Sequence, residues 1–238
     1  MAESVKICLW SGPRNISTAL MYSFAQRGDT RVYDEPLYGF YLANTDADEY
    51  HPGAEETLAS MEQDGPKVIS SMMNDESKPV LFFKNMAHHL LDLDRSFMKD
   101  TVNIILTRNP KDCILSFSKV IENPTMSDIG YEVQLDLKKY LDELGAKNLV
   151  VDSSDILKNP EKELSAICEL AQIPFDSNML QWNPGPRTED GTWAKYWYAN
   201  VHRSRGFQPP KIKDEQLPER LTPLLEESNR LYAELTQA

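Results

Sequence analysis

Five short runs of β-branched and apolar residues punctuate the chain, Val5 to Trp10, Arg31 to Tyr33, Val80 to Phe83, Val102 to Leu106 and Leu149 to Val151, each bounded by turn or helix-start residues. Apolar runs of this length read as strands buried on both faces. Helical stripes lie between them. Ile16, Ala19, Leu20, Ser23 and Phe24 follow the i, i+3, i+4 spacing, with Gly28 as the expected stop. Val133, Leu137, Tyr140, Leu141 and Leu144 form a second stripe ended by Gly145, and Leu164, Ile167, Cys168 and Ala171 a third. Strand alternating with helix predicts an α/β fold: three layers, α/β/α, around a central parallel sheet. A last helix marked by Leu217, Leu221, Leu224, Leu225, Ser228, Tyr232 and Leu235 should pack on the outside. With no internal repeat, low-complexity tract or Gly/Ser linker, residues 1–238 are expected to form a single domain. Two stretches break the alternation, Pro36 to Lys78 and Asn183 to Lys213, and long irregular segments in a compact domain are often functional.

Charge narrows the partners. Thirty-seven Asp and Glu against twenty-five Lys and Arg give a net charge of -12, so a phosphate backbone or an anionic bilayer is repelled. Neither nucleic acid nor a membrane is an expected partner, and an anionic ligand must be held by a few basic groups gathered locally. The three cysteines, Cys8, Cys113 and Cys168, are widely spaced and read as reduced core thiols. Met-Ala-Glu-Ser-Val-Lys lacks the basic and apolar stretches of a leader, and no apolar run approaches the ~20 residues of a membrane span, so the cytoplasm is the expected compartment.

The first strand runs into Ser11-Gly12-Pro13-Arg14-Asn15-Ile16-Ser17-Thr18 and then a helix. Such a turn at the carboxyl edge of a parallel sheet presents backbone N–H groups and the positive helix end to an anion. Arg14, Asn15, Ile16, Ser17 and Thr18 are the candidate ligands of this nucleotide-binding loop, unless Ser17 or Thr18 merely caps the helix with Arg14 in solvent. The nucleotide triphosphatase pattern G-x-x-x-x-G-K-[ST] is not met: counting from Gly12, Ser17, Thr18 and Ala19 stand where glycine, lysine and the magnesium-binding hydroxyl belong.

A second strand exit reads Thr107-Arg108-Asn109-Pro110-Lys111-Asp112. Asn109 as N-cap, Pro110 at the first helical position and Asp112 in the first turn are explained by helix initiation. Arg108 is not, and it faces the same sheet edge as the first loop, with Ser116 one turn beyond Asp112.

Arg108 to Asp112 followed by Ser116 resembles the 3′-phosphate-binding segment of sulfotransferases that use 3′-phosphoadenosine 5′-phosphosulfate (PAPS), and the first loop resembles their 5′-phosphosulfate loop. Asp152-Ser153-Ser154-Asp155-Ile156-Leu157 with Asn159-Pro160 resembles the family's fifth-strand exit. Gly185-Pro186-Arg187 with Asp190-Gly191-x-Trp193 is similar to its C-terminal loop, whose basic residue, here Arg187, reaches the 3′-phosphate. Arg14 stands where many members carry lysine. The resemblance implies a metal-independent sulfotransferase with a P-loop-like fold, taking PAPS as donor, releasing PAP, and using a small-molecule hydroxyl or amine as acceptor. It places Arg14 and Arg108 at opposite ends of one doubly anionic nucleotide.

Sulfonate transfer needs a base for the acceptor's proton and a cation where charge builds on the leaving phosphate. The resemblance makes Lys84, at the end of the third strand, that cation. The position of the histidine base of the cytosolic branch holds Met86, and His88 and His89 are shifted onto the following helix. Other branches use a glutamate after the second strand, the place of Glu35, so Glu35 is preferred as base and His88 stands second. His51 and His202 are isolated, and no zinc spacing exists. Asp92-Leu93-Asp94 reads as a solvated helix face. Trp193, Tyr196, Trp197 and Tyr198 either wall the acceptor pocket or form core under the last loops, with core expected for at least two of them. Leu37 to Asn74 and Asn123 to Tyr131 are expected to shape the acceptor pocket. Two rival readings are an ATP-dependent small-molecule kinase, which magnesium dependence would reveal, and a non-catalytic PAP-binding module. The acceptor and the oligomeric state are not legible.

Overall fold

The computed structural model describes residues 4–119, 121–209 and 215–237. Its centre is a five-stranded, wholly parallel sheet in the order β2-β3-β1-β4-β5. The strands are β1 (Val5–Ser11), β2 (Thr30–Asp34), β3 (Val80–Met86), β4 (Val102–Thr107) and β5 (Asn148–Asp152), each containing its predicted run. Helices cover both faces. In chain order they are α1 (Ser17–Phe24), α2 (Tyr38–Ala43), α3 (Ala54–Ser60), α4 (Gly65–Asn74), α5 (Pro110–Phe117), α6 (Met126–Ile129), α7 (Tyr131–Leu144), α8 (Ser153–Lys158), α9 (Pro160–Leu170), α10 (Ala194–Trp197) and α11 (Thr222–Thr236).

Alternation along β1 sorts the core into two layers. Ile7 and Leu9 pack with Leu20, Met21 and Phe24 of α1 and with Ile156, Leu164 and Ile167, whereas Cys8 and Trp10 pack with Ile114 of α5, Leu137 and Leu141 of α7 and Leu231 and Leu235 of α11. Cys8, Cys113 and Cys168 are free and buried, as the spacing implied. A third, smaller core of Tyr38, Leu42, Ala47, Ala54, Trp193, Ala194 and Tyr198 joins the two irregular stretches to each other. Asn183 to Lys213 can be followed to Pro209, and its last residues lie outside the described ones. No helix is long and apolar enough to cross a membrane among the described residues.

Two local expectations fail. Helix α1 ends at Phe24, with Ala25 as C-cap, rather than near Gly28, whose φ is not positive. The chain turns early because Arg27, nearly buried, folds onto Asp29, Thr30 and the Pro174 carbonyl. Asp92-Leu93-Asp94 is not helical, although Asp92 and Asp94 are exposed as expected: Leu93 packs on the core while Asp94 accepts from the Ser96 N–H.

What matters for function is where helices change sides. The helix after β1 covers one face and the helix after β4 the other, and β1 and β4 are neighbours. A crevice opens at such a switch point beyond the carboxyl ends of the strands, where open α/β sheets bind ligands.

Candidate active site

The first loop is fastened to β4. Asn15 Nδ2 donates to the Leu106 carbonyl over 3.0 Å while its Oδ1 accepts the Ile16 N–H, and Gln134 Nε2 reaches the same carbonyl over 2.8 Å. Ile16 is the N-cap residue of α1 with no side-chain cap, so neither Ser17 nor Thr18 is used up in capping. Arg14 holds a left-handed backbone at φ 56°, a conformation that costs a non-glycine residue ~1 kcal/mol or more. Of the four non-glycine residues with positive φ among the described residues, Arg14, Glu35 and Leu91 line one cavity and Gln172 does not.

The second exit meets the first. Asn109 caps α5 through the Lys111 N–H, as its position predicted, and Tyr131 OH donates to the Arg108 carbonyl over 2.7 Å. Arg108 Nη1 donates to the Arg14 carbonyl over 2.6 Å, and Arg14 Nε donates to Ser116 Oγ over 3.3 Å. The two arginines thus meet at one corner of the crevice, with Arg14 reaching Ser116 of α5. Neither carries an ion pair among the described residues.

Lys84 sits at the other side of the crevice. Register places it beside Asp34 of β2 and Leu9 of β1, and the alternation that faces Val32 and Phe82 into the α1 layer carries Asp34 and Lys84 to the same face. Its ammonium donates to Asp34 Oδ1 over 2.8 Å, to Tyr198 OH over 2.6 Å and, in a very short contact, to Glu35 Oε1. All three hydrogens are committed. Burial works against the charge, but Asp34, Glu35 and Tyr198 together outweigh it and hold the ammonium well above the ordinary lysine value. Burial likewise raises the proton affinity of Glu35; Lys84 opposes this, Asp34 adds to it, and the net shift is upward.

Glu35 Oε2 faces His89 Nδ1 at 4.0 Å, and that buried nitrogen has no hydrogen-bond partner. His89 stacks against both Tyr38 and Tyr41, at 5.1 and 4.5 Å between ring centroids, and the two tyrosine rings are themselves 6.5 Å apart. Burial, helped by nearby His88 and Lys84, drives its proton affinity well down, and burial lowers His88 to about 4 and lowers His51 as well. At neutral pH the three rings form an uncharged wall.

A cavity of about 820 Å³ brings these parts together. Pro13, Arg14, Asn15, Ser17 and Thr18 line it with Glu35, Lys84, His88 and His89. Tyr38, Tyr41, Tyr50 and His51 from the first irregular stretch, and Met126, Ser127 and Asp128 from the second expected segment, also line it. Trp193 and Tyr198 are buried, whereas Tyr196 and Trp197 stand exposed. Ile16, Arg108, Ser116 and Arg187 are not on the lining. Arg108 and Ser116 still border it through Arg14. Arg187 is apart: its guanidinium pairs with Glu189 over 3.1 Å and lies over the Tyr22 ring, so in this state it does not join Arg108. Nor are His51 and His202 isolated, since His51 Nδ1 meets Tyr38 OH over 2.7 Å and His202 Nε2 meets Asp190 over 3.0 Å.

Asp34, absent from the sequence reading, completes the site with the Tyr198 hydroxyl and His89, which that reading named only in other roles. Only the parity of Asp34 with Val32, and of Lys84 with Phe82, signalled the first.

A model of the sulfotransferase domain family matches residues 5–228. The chain belongs to that family. Among solved structures, the sulfotransferase domain from the curacin biosynthetic pathway shares the fold with a TM-score of 0.57 at 18% identity, covering 99% of this chain and 98% of that one. Mouse sulfotransferase SULT7A1, solved in complex with PAP, gives a TM-score of 0.52 at 14% identity, covering 98% and 84%. A similar sequence is branched-chain-amino-acid aminotransferase-like protein 1 of Arabidopsis thaliana, 39% identical over 234 residues. The sulfotransferase domain described here spans 98% of its own length in that match but 42% of the relative's. The family match shows a sulfotransferase domain, and the solved structures share its fold.

Proposed function

We propose that this domain transfers a sulfonate group from PAPS to a hydroxyl or amine of a small-molecule acceptor, without a metal ion, inside the 820 Å³ cavity. One observation carries the reading: the strand-to-helix loop, a buried lysine and a carboxylate of raised proton affinity face a single cavity. The donor set fits a nucleotide with two anionic ends. The loop and the α1 N-terminus suit one end, and the Arg14, Arg108 and Ser116 corner, with guanidinium donors free of carboxylates, suits the 3′-phosphate.

PAPS supplies the sulfonyl group: its sulfur forms a bond to the acceptor oxygen or nitrogen as the bond to the 5′-phosphate oxygen breaks. Glu35 accepts the proton that the acceptor loses, and Lys84 balances the charge left on the phosphate of PAP. The loop's backbone donors hold the phosphosulfate in line. The aromatic wall keeps water from the acceptor side. Glu35 is favoured over His88 because a base needs affinity for the proton it takes, and burial lowers His88 to about 4.

Incubating the protein with PAPS and a metabolite extract in EDTA, and following sulfonated products by mass spectrometry, tests this. A product formed in step with PAP is expected. PAP binding with no product would leave a binding module, and stabilisation by magnesium-ATP alone would turn the reading to a kinase.

A further inference from the structure

Two carboxylates share the Lys84 ammonium, and their surroundings are unequal. Asp34 has every oxygen engaged: it accepts from Lys84, from Tyr198 OH over 2.8 and 2.9 Å, and, at Oδ2, from the Gly191 N–H over 3.0 Å. Tyr198 OH is itself held by Trp193 Nε1 over 3.0 Å. These contacts come from β3 and from the segment 191–198, so Asp34 is locked by two pieces of chain outside its own strand, and its side chain is 1% exposed. Glu35, whose side chain is 11% exposed, has Lys84 as its hydrogen-bond donor and turns its second oxygen toward His89 in the cavity.

We propose that Asp34 is the fixed counter-ion of Lys84 and Glu35 the exchangeable one, so that a ligand oxygen arriving at Lys84 displaces Glu35 and frees its carboxylate to act as base. The inference rests on the proposed role of Glu35 and adds what keeps that base silent until the donor is seated. A +1 ammonium between two carboxylates leaves one negative charge in excess. With Asp34 locked, the excess resides on Glu35. An incoming phosphate oxygen then competes with Glu35 alone, for one of three hydrogens, and Lys84 stays charged throughout because Asp34 never leaves. Asp34 acts through Lys84 and is a positioning residue.

The groups facing Glu35 are Lys84 from β3, Asp34 from β2, Tyr38 from α2, His89 after β3 and Tyr198 at the end of α10. Of these, Asp34 adds to the proton affinity of Glu35 and Lys84 opposes it, so removing one has a definite sign. Asp34→Asn deletes the negative charge that favours protonated Glu35 and gives Lys84 wholly to Glu35; both changes lower its proton affinity.

The test needs no acceptor. Full-length protein carrying 13Cδ-labelled glutamate is titrated by NMR, with the Glu35 signal assigned by its loss in Glu35→Gln. In Asp34→Asn the Glu35 midpoint is expected to fall by ~1 pH unit or more. An unmoved or raised midpoint in the folded variant overturns the proposal, since a residue that only supports the fold would leave it in place. Should Asp34→Asn not fold, a crystal of the wild-type protein with PAP decides. Lys84 is then expected to keep its 2.8 Å contact to Asp34 while the Glu35 contact opens, and the opposite exchange overturns the proposal. Failure of the base reading looks different: there Glu35→Gln keeps full turnover whatever the titration shows.

Discussion

The two ends of the crevice hold their cations in opposite ways. Lys84 is buried, with three acceptors and no donor to spare; Arg14 and Arg108 are at the surface and partly so, with one hydrogen bond each to a hydroxyl and a carbonyl and no carboxylate partner among the described residues. A charge in a dry cluster is fixed in place and in protonation, and removing a partner leaves another charge stranded. A guanidinium in contact with solvent keeps its donors available and costs the fold little when lost. The first arrangement suits a group that must act on a reacting atom, the second a group that grips a ligand as it arrives.

Substitutions can break this contrast. Lys84→Met should have the largest effect: it strands Asp34 and Glu35 together, abolishes turnover, and lowers stability by about 3–5 kcal/mol in urea unfolding at neutral pH. Unchanged stability would show that the cluster is not the tightly held end. Glu35→Gln comes next. It should cut turnover by about 10²–10⁴-fold while PAP binding by calorimetry persists, because it removes the base and leaves both Arg14 and Arg108. The same residue sets a pH dependence. A base must be ionised, and the proton affinity of Glu35 is raised by burial, so the rate should fall as pH drops through a value above the ordinary carboxylate range. A rate that holds until the normal glutamate range would contradict the raised affinity.

At the exposed corner Arg108→Ala should weaken PAP by roughly 10–100-fold, the size of one or two charge-assisted hydrogen bonds, with adenosine 5′-phosphosulfate much less affected and the melting temperature nearly unchanged. Equal losses for the two ligands would reduce Arg108 to a prop for the Arg14 carbonyl. His88→Ala should matter least, leaving the rate near wild type, since burial keeps that ring neutral and a poor proton acceptor. A loss as deep as that of Glu35→Gln would hand the base role to histidine.

Legibility in the sequence follows the same divide. Strands buried on both faces announce themselves as apolar runs, so the parallel sheet could be read from Val5, Val80 and Val102 onward, and Asn109, Pro110 and Asp112 mark a helix start. Arg108 was visible because helix initiation left it unexplained. Asp34, by contrast, meets Tyr198 across 164 positions, and nothing local to either records it. His89 rather than His88 faces Glu35 because a single 3₁₀ turn, Ala87–Leu90, decides which ring points inward. The left-handed backbone of Arg14 was not legible, because no residue type in Gly12-Pro13-Arg14-Asn15 forces that choice. Arg187 carries a motif-like position, yet Glu189 two residues on takes its charge.

Calorimetric titration of the wild-type protein with PAP in EDTA, beside the same titration with adenosine 5′-phosphosulfate, tests the account most directly. Metal-free PAP binding is expected, with its 3′-phosphate contribution erased in Arg108→Ala and kept in Glu35→Gln. No heat with PAP, or binding indifferent to the 3′-phosphate, would contradict it.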